Sequence, residues 1–319
     1  MKVVIPGGSG HVGAVLIRHF RSLGWEIVIL SRCTLQSEGA KLVAWDGKTI
    51  DDWKTELDGA DVVINLAGRS VNCRYSIANL NEMMSSRVDS VRVIGEAIAQ
   101  CETPPKVWFQ ASTATIYAHR YDVPNDEFTG IMGGDEPGAP FTWNASIKIA
   151  KAWEAEFEKA DTPRTRKIAM RSAMTMSPDK GSVFAVFADL AKKGLGGRLG
   201  NGQQFVSWIH EKDFSAAISF LIEHDEIVGA VNLCSPNPLP QSEFMKNLRK
   251  AVGTPFGFPA PVPLVELGTR FMKTESELVL KSRRVIPSVL LKHGFEFQYP
   301  NWKEAAEELA GNLVLQKLP

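Results

Sequence analysis

Short apolar runs rich in β-branched residues alternate along this chain with longer stretches in which apolar residues return every three or four positions. Lys2 to Ile5 reads as a buried strand, and Ala14 to Phe20, after a glycine cluster, as a helix. Glu26 to Ser31, Lys41 to Trp45 and Asp61 to Leu66 read as the second, third and fourth strands. From Ser76 to Gln100, Ile77, Leu80, Met84, Val88, Val91 and Ile98 fall at helical spacing. Lys106 to Ser112 is a fifth strand, Trp143 to Lys159 a helix, and Arg166 to Arg171 a sixth strand. Strands alternating with helices imply an α/β, doubly wound parallel sheet, whose ligands bind beyond the carboxyl ends of the strands.

The pattern changes after Ser172. Residues 192–202 are basic and glycine-rich, which suits either a loop over the site or a plain connector. Phe214 to Ile222 reads as an amphipathic helix that returns to the main sheet. Four prolines between Pro255 and Pro263 suggest a rigid linker to the last helices. The expected division is a nucleotide-binding unit over 1–172, its sheet completed from within 203–235, and a smaller lobe over 173–319.

The glycine cluster carries the first chemistry. Gly7, Gly10 and Gly13, with Ser9, His11 and Val12 between them, follow the first strand directly and open the first helix. The first glycine permits a tight turn, the second lets backbone approach a pyrophosphate, and the third allows close packing. The helix N-terminus then offers free N–H groups to phosphate. After the second strand come Ser31 and Arg32. An acidic residue there would favour NAD, whereas an arginine fork suits the 2′-phosphate of NADP, so NADP(H) is the expected cofactor.

Composition adds exclusions. Thirty-six basic residues balance thirty-six acidic ones, so nothing points to nucleic acid or an anionic membrane. Cys33, Cys73, Cys101 and Cys234 lack metal or redox spacing and read as free thiols; no metal site is expected. No apolar run approaches a membrane span, and the first strand begins at residue 2, so the expected setting is cytoplasmic.

The segments GGSGHVG (7–13), INLAG (64–68) and ASTATIY (111–117) resemble the extended short-chain dehydrogenase/reductases, the NAD-dependent epimerase/dehydratase family. SSRVDSVR (85–92), WIHEKD (208–213), NLCSPNP (232–238), RVIP (284–287) and GFEFQYP (294–300) are similar to one branch of it. That branch is labelled only epimerase family protein, sometimes cell-division-inhibitor-like. The resemblance implies a Rossmann-type NADP domain with a small C-terminal α/β substrate lobe. It further implies cofactor contacts at Leu66, Ala67, Gly68 and Ala111, with Glu82 and Arg87 of the long helix facing the cofactor. A homodimer through the long helix and its partner is a further expectation.

The family's acid/base site is altered here. Typical members use a Ser/Thr, a Tyr, and a Lys four residues after the Tyr. Thr113 matches the first position and Lys148 the last, but Asn144 stands where the tyrosine belongs. An amide cannot exchange a proton at neutral pH as a phenol can. No other tyrosine is a convincing substitute: Tyr117 reads as structural, Tyr121 lies in a loop, Tyr75 leads into the long helix, and Tyr299 begins a chance YxxxK near the C-terminus. His210 and Asp213 read as braces of a strand–helix junction. Arg69 and Arg74 are either substrate contacts or solvated arginines, and Arg171 ends a strand near the expected pocket. Two functions remain. One is an oxidoreductase acting on a hydroxyl or keto carbon of a small polar substrate, a nucleotide-sugar being one candidate. The other is a non-catalytic NADPH-binding sensor.

Overall fold

A computed structural model describes residues 1–32 and 39–315, so Cys33 lies outside the described residues. The first half runs β1 (Lys2–Pro6), α1 (His11–Ser22), β2 (Glu26–Ser31), β3 (Lys41–Ala44), β4 (Val62–Asn65), α2 (Ile77–Ala99), β5 (Val107–Thr113), α3 (Phe141–Lys159) and β6 (Arg166–Ser172). The second half runs β7 (Met174–Met176), α4 (Val183–Lys192), β8 (Phe205–Val206), β9 (Trp208–His210), α5 (Glu211–Glu223), β10 (Gly229–Leu233), β11 (Leu239–Pro240) and α6 (Gln241–Ala251). It closes with α7 (Val262–Phe271), α8 (Glu277–Leu280), α9 (Ser288–Lys292) and α10 (Trp302–Leu315).

Seven parallel strands form one sheet in the order β10-β6-β5-β4-β1-β2-β3. Val3 pairs with Ile27 on one side and Val62 on the other. The direction of winding reverses at β1, which makes the β1/β4 boundary the switch point where such sheets bind ligands. Side chains alternate between faces, so each strand feeds two cores. Val3, Ile5 and Ile29 pack with Leu16 and Phe20 of α1 and Phe214 and Ile218 of α5. Val4, Val28 and Trp108 pack with Ile94 and Ile98 of α2 and Trp153 and Phe157 of α3. A separate cluster built on Phe184, Trp208, Phe244 and Trp302 supports the C-terminal part.

Between β3 and β4 the crossover contains only a short 3-10 turn, Asp52–Glu56, whose buried Trp53 meets Trp45 edge-on. The glycine-rich stretch after α4 is not free-standing. Leu199 bridges Ala260, and Phe258 N–H donates to Gly194 O at 2.8 Å. A Cβ on Gly197 would come within 2.1 Å of Phe258 O, so that close approach requires glycine. Among the described residues no helix is long and apolar enough to cross a membrane, Cys73, Cys101 and Cys234 are free thiols, and no acidic, histidine or cysteine cluster has metal-ligating geometry.

Candidate functional site

The carboxyl ends of β1, β2, β4 and β5 converge with the first turns of α1 and α3. Gly7 turns the chain at φ +75° and donates its N–H to Leu30 O of β2 at 2.8 Å. A Cβ on it would lie 2.6 Å from Ala67 N, so the glycine turn and the Leu66–Gly68 turn touch through backbone. Leu66 N–H is held by Pro6 O, and Ala67 N–H by the Asn65 side chain. Gly13 is needed for a different contact, since its Cβ would fall 2.0 Å from Gly8 O. At Gly10 the space is open, with Gly7 O nearest at 3.9 Å. Gly10 caps α1 without any side-chain hydrogen bond, and the first turn of α1 carries no acidic residue. The N–H groups of His11, Val12 and Gly13 have no acceptor among the described residues. An uncapped, unobstructed helix start with free amides is what a pyrophosphate requires, so the residues fit a dinucleotide.

Side chains frame this turn. Ser31 donates to Ser9 Oγ at 3.3 Å, tying the end of β2 to the glycine turn. Arg32 is exposed beside them. His11 lies 3.0 Å from Ser177 Oγ through Nε2, and burial lowers its pKa. Arg87 of α2 is buried beneath the 66–68 turn, packing on the position of Gly68 and over the Trp153 ring while donating to Met83 O. Burial lowers its pKa to about 10. Glu82 is exposed and pairs with Arg69, not with Arg87.

At the end of the neighbouring strand, Ala111, Ser112 and Thr113 end β5 beside Met170, Arg171 and Ser172 of β6. The Thr113 hydroxyl accepts from Thr115 N–H at 3.1 Å and keeps its own proton to donate. Asn144 and Lys148 share a face of α3. Asn144 Oδ1 is buried without a partner among the described residues. Lys148 is exposed, and its ammonium has no partner among the described residues.

Several polar residues are committed to structure. Arg171 is buried in a two-armed ion pair with Glu154, at 2.7 and 2.9 Å, and its third arm reaches Tyr117 Oη. It braces β6 against α3 instead of opening to a pocket. Tyr117 also donates to Asn232 Oδ1 at 3.0 Å. Arg69 is held by Glu82 and Asn79, and Arg74 by Glu275 and Thr274 O, so neither is a free solvated arginine. Asp213 accepts from Gln298 and Tyr299 N–H, and His210 caps α5 and stacks on Tyr299. Tyr75 is buried, with its phenol pKa raised by burial first and by nearby Glu277.

The structure adds residues that pattern reading missed. Ser146, two residues after Asn144, donates to Glu277 Oε1 at 2.6 Å. Glu277 is fully buried; desolvation raises its pKa, and its Oε2 has no partner among the described residues. Lys281 and Arg283 lie 4.0 and 3.6 Å from Glu277 and reach Thr115 O and Thr115 Oγ1. His119 packs on Trp143 with ring centroids 4.8 Å apart. Its Nδ1 accepts from Ser282 N–H at 2.7 Å, so the neutral ring carries its proton on Nε2. Burial, and then Lys281 and Arg283, lower its pKa. An open groove of about 540 Å³, lined by Phe157, Thr162, Lys167 and Val228 among others, lies at the opposite end of the strands, away from these groups.

The NAD dependent epimerase/dehydratase family model matches residues 3–234, and a domain of unknown function matches 260–309. The chain belongs to the NAD-dependent epimerase/dehydratase family. An epimerase family protein of Staphylococcus epidermidis is 30% identical over 310 residues, covering 97% of this chain and 98% of the relative. Human epimerase family protein SDR39U1 is 26% identical over 312 residues, covering 97% and 99%. A crystal structure of that human protein with NADPH aligns at TM-score 0.84 and 25% identity, covering 98% of this chain and all of its own. UDP-N-acetylglucosamine 4-epimerase of Bacillus cereus, at 16% identity and TM-score 0.72 over 98% of this chain, shares the fold. The extended short-chain dehydrogenase/reductase fold read from the sequence is therefore the fold present, and the protein is an epimerase-like member of that family.

Proposed function

We propose that this protein binds NADP(H) on the glycine turn and is an oxidoreductase of epimerase type, acting on a hydroxyl or keto carbon of a small molecule. The observation that carries this reading is the unobstructed start of α1, with free amides beside Gly10 and Arg32 exposed at the end of β2. Human SDR39U1 with NADPH supports the choice of cofactor. Residues 1–172, with β10, hold the cofactor, and residues 173–319 supply most of the substrate side. When bound, the nicotinamide supplies hydride transfer. Lys148 binds its ribose, and the Thr113 hydroxyl donates to the substrate oxygen. Asn144 orients that oxygen through its amide but moves no proton, so proton exchange passes to another group or to water.

Asn144 also favours a second reading, a cofactor-binding protein that performs no chemistry and whose NADPH occupancy controls a partner. Denaturing the purified protein and identifying any released nucleotide and its redox state tests the common premise. Failure to bind either NADPH or NADP⁺ refutes both readings. Transfer of deuterium to bound NADP⁺ from an added C-deuterated alcohol, or oxidation of bound NADPH by an added carbonyl, selects the enzyme.

A further inference from the structure

Three cations are buried among the described residues: Arg87, Arg171 and Lys281. Arg171 sets Nε and Nη2 against the two oxygens of Glu154, and Lys281 lies 4.0 Å from Glu277. Arg87 differs. The ionisable side chains that face it are a phenol and a thiol, Tyr75 and Cys73, and not a carboxylate. Its Nη1 donates to Met83 O at 3.0 Å, one turn back on α2. Nε and Nη2, the edge that Arg171 turns to Glu154, have no acceptor among the described residues, and unlike Glu277 Oε2 they are not sealed from solvent. Burying a cation without a counter-charge is costly, and the Trp153 ring, 4.9 Å from Cζ, offsets only part of that cost.

The guanidinium lies at the carboxyl end of β4, where a Cβ on Gly68 would be 3.2 Å from its Cζ. Gly68 ends the turn that meets Gly7 through Ala67, so this cation borders the ligand-binding face of the sheet. It reaches that face from the side away from α1. Leu16 and Phe20 of α1 pack with Ile5 on one face of the sheet, whereas Trp153, beneath Arg87, packs with Val4 on the other. The cofactor's pyrophosphate is assigned to the start of α1 and its 2′-phosphate to Arg32 after β2, so the cofactor's anions have partners on the α1 side. The helix that holds Trp153 also carries Asn144 and Lys148. One guanidinium edge offers two parallel donors, which match the two oxygens of a carboxylate. Arg69 and Arg74, which could help to neutralise a more highly charged group, are already paired with Glu82 and Glu275.

We propose that Arg87 is the anion receptor of the substrate site, and that the substrate is a carbonyl or alcohol compound carrying a carboxylate, gripped by Nε and Nη2 as Arg171 grips Glu154. This rests on the assignment of NADP(H) to the glycine turn. The test uses the full chain, with NADPH affinity measured first for parent and variants. 2-Oxobutanoate, 4-oxopentanoate and 6-oxoheptanoate, each beside its methyl ester, are then titrated into the NADPH-loaded protein by saturation-transfer NMR. At least one acid should bind about tenfold or more tightly than its ester, the range for charge-assisted hydrogen bonds. Arg87→Gln should abolish that preference, leave NADPH affinity unchanged and not lower the thermal midpoint. Arg87→Lys, which keeps the charge without the fork, should retain only part of the preference. Equal binding of every acid and its ester by the parent, or a preference that survives Arg87→Gln, overturns the proposal and leaves the cofactor assignment standing. Loss of NADPH affinity in Arg87→Gln to match the loss of the acid would give Arg87 to a cofactor phosphate, and overturns the proposal too. Failure of the parent to bind NADPH overturns the cofactor assignment and the proposal together.

Discussion

Asn144 and Lys148 stand one helical turn apart on α3, the first with a buried amide oxygen and the second with an exposed ammonium, neither of which has a partner among the described residues. A tyrosine and a lysine at these positions would share a proton function. Here the pair is a neutral amide and a charge.

That relationship makes Asn144 a liability for stability. A buried acceptor without a hydrogen bond costs about 1–3 kcal/mol. Asn144→Ala should therefore stabilise the protein by roughly 1 kcal/mol, seen as a higher thermal midpoint, while weakening any substrate response. A lowered midpoint in thermal unfolding would mean that the amide is satisfied in solution.

Arg32 is exposed where the 2′-phosphate is assigned. Arg32→Ala should weaken NADPH binding by about 1.5–3 kcal/mol, the range for charge-assisted hydrogen bonds, and leave NADH nearly unchanged. Equal losses for the two cofactors in parallel titrations would remove the assignment.

Gly10 and Gly13 should separate binding from folding. Gly10→Ala adds a methyl into open space and should keep the thermal midpoint while reducing NADPH affinity at least tenfold. Gly13→Ala drives a Cβ to 2.0 Å from Gly8 O and should cost about 1–3 kcal/mol of stability as well. Calorimetry of both variants, with and without NADPH, reads the two effects.

Removing one partner of the buried Arg171–Glu154 pair leaves an uncompensated charge, so Glu154→Ala should destabilise by about 3–5 kcal/mol in urea unfolding. A cost below 1 kcal/mol would show that the pair does not brace β6 against α3.

Lys281 supplies a pH signature. Burial lowers its pKa from 10.5 to about 8, with Arg283 acting in the same direction. Between about pH 8 and 10.5 the folded state has released this proton and the unfolded state still holds it. Stability from this group therefore rises with pH across that window, by on the order of 3 kcal/mol. Lys281→Met should flatten the rise. Parallel slopes for variant and parent between pH 8 and 10 would contradict it.

The strand and helix positions were legible because periodicity in burial is local. Leu16 and Phe20 need only one face of α1, and β1 is apolar throughout because both of its faces are covered. The limits of β4 and β5 shifted by a residue, as strand ends depend on neighbours. The glycine turn was legible for the same reason. Its spacing and the Gly13–Gly8 contact lie within seven residues, though the close approach that Gly7 needs is to Ala67 of the loop after β4. Glu277 and His119 went unnoticed because nothing near them in sequence marks them. Glu277 meets a serine 131 residues away and His119 a backbone N–H 163 residues away.

By itself, the chain's order of residues determined the parallel sheet, the cofactor turn, and the placing of Asn144 four residues before Lys148. Each is written in residues that are adjacent or one helical turn apart. Only the tertiary structure decided which charges are available. Arg171, Arg69 and Arg74 looked like possible substrate contacts, and folding paired each with a carboxylate brought from elsewhere in the chain. Sequence specifies the valence of a side chain, whereas its partner is set by long-range packing, and the partner determines whether that charge remains free for chemistry.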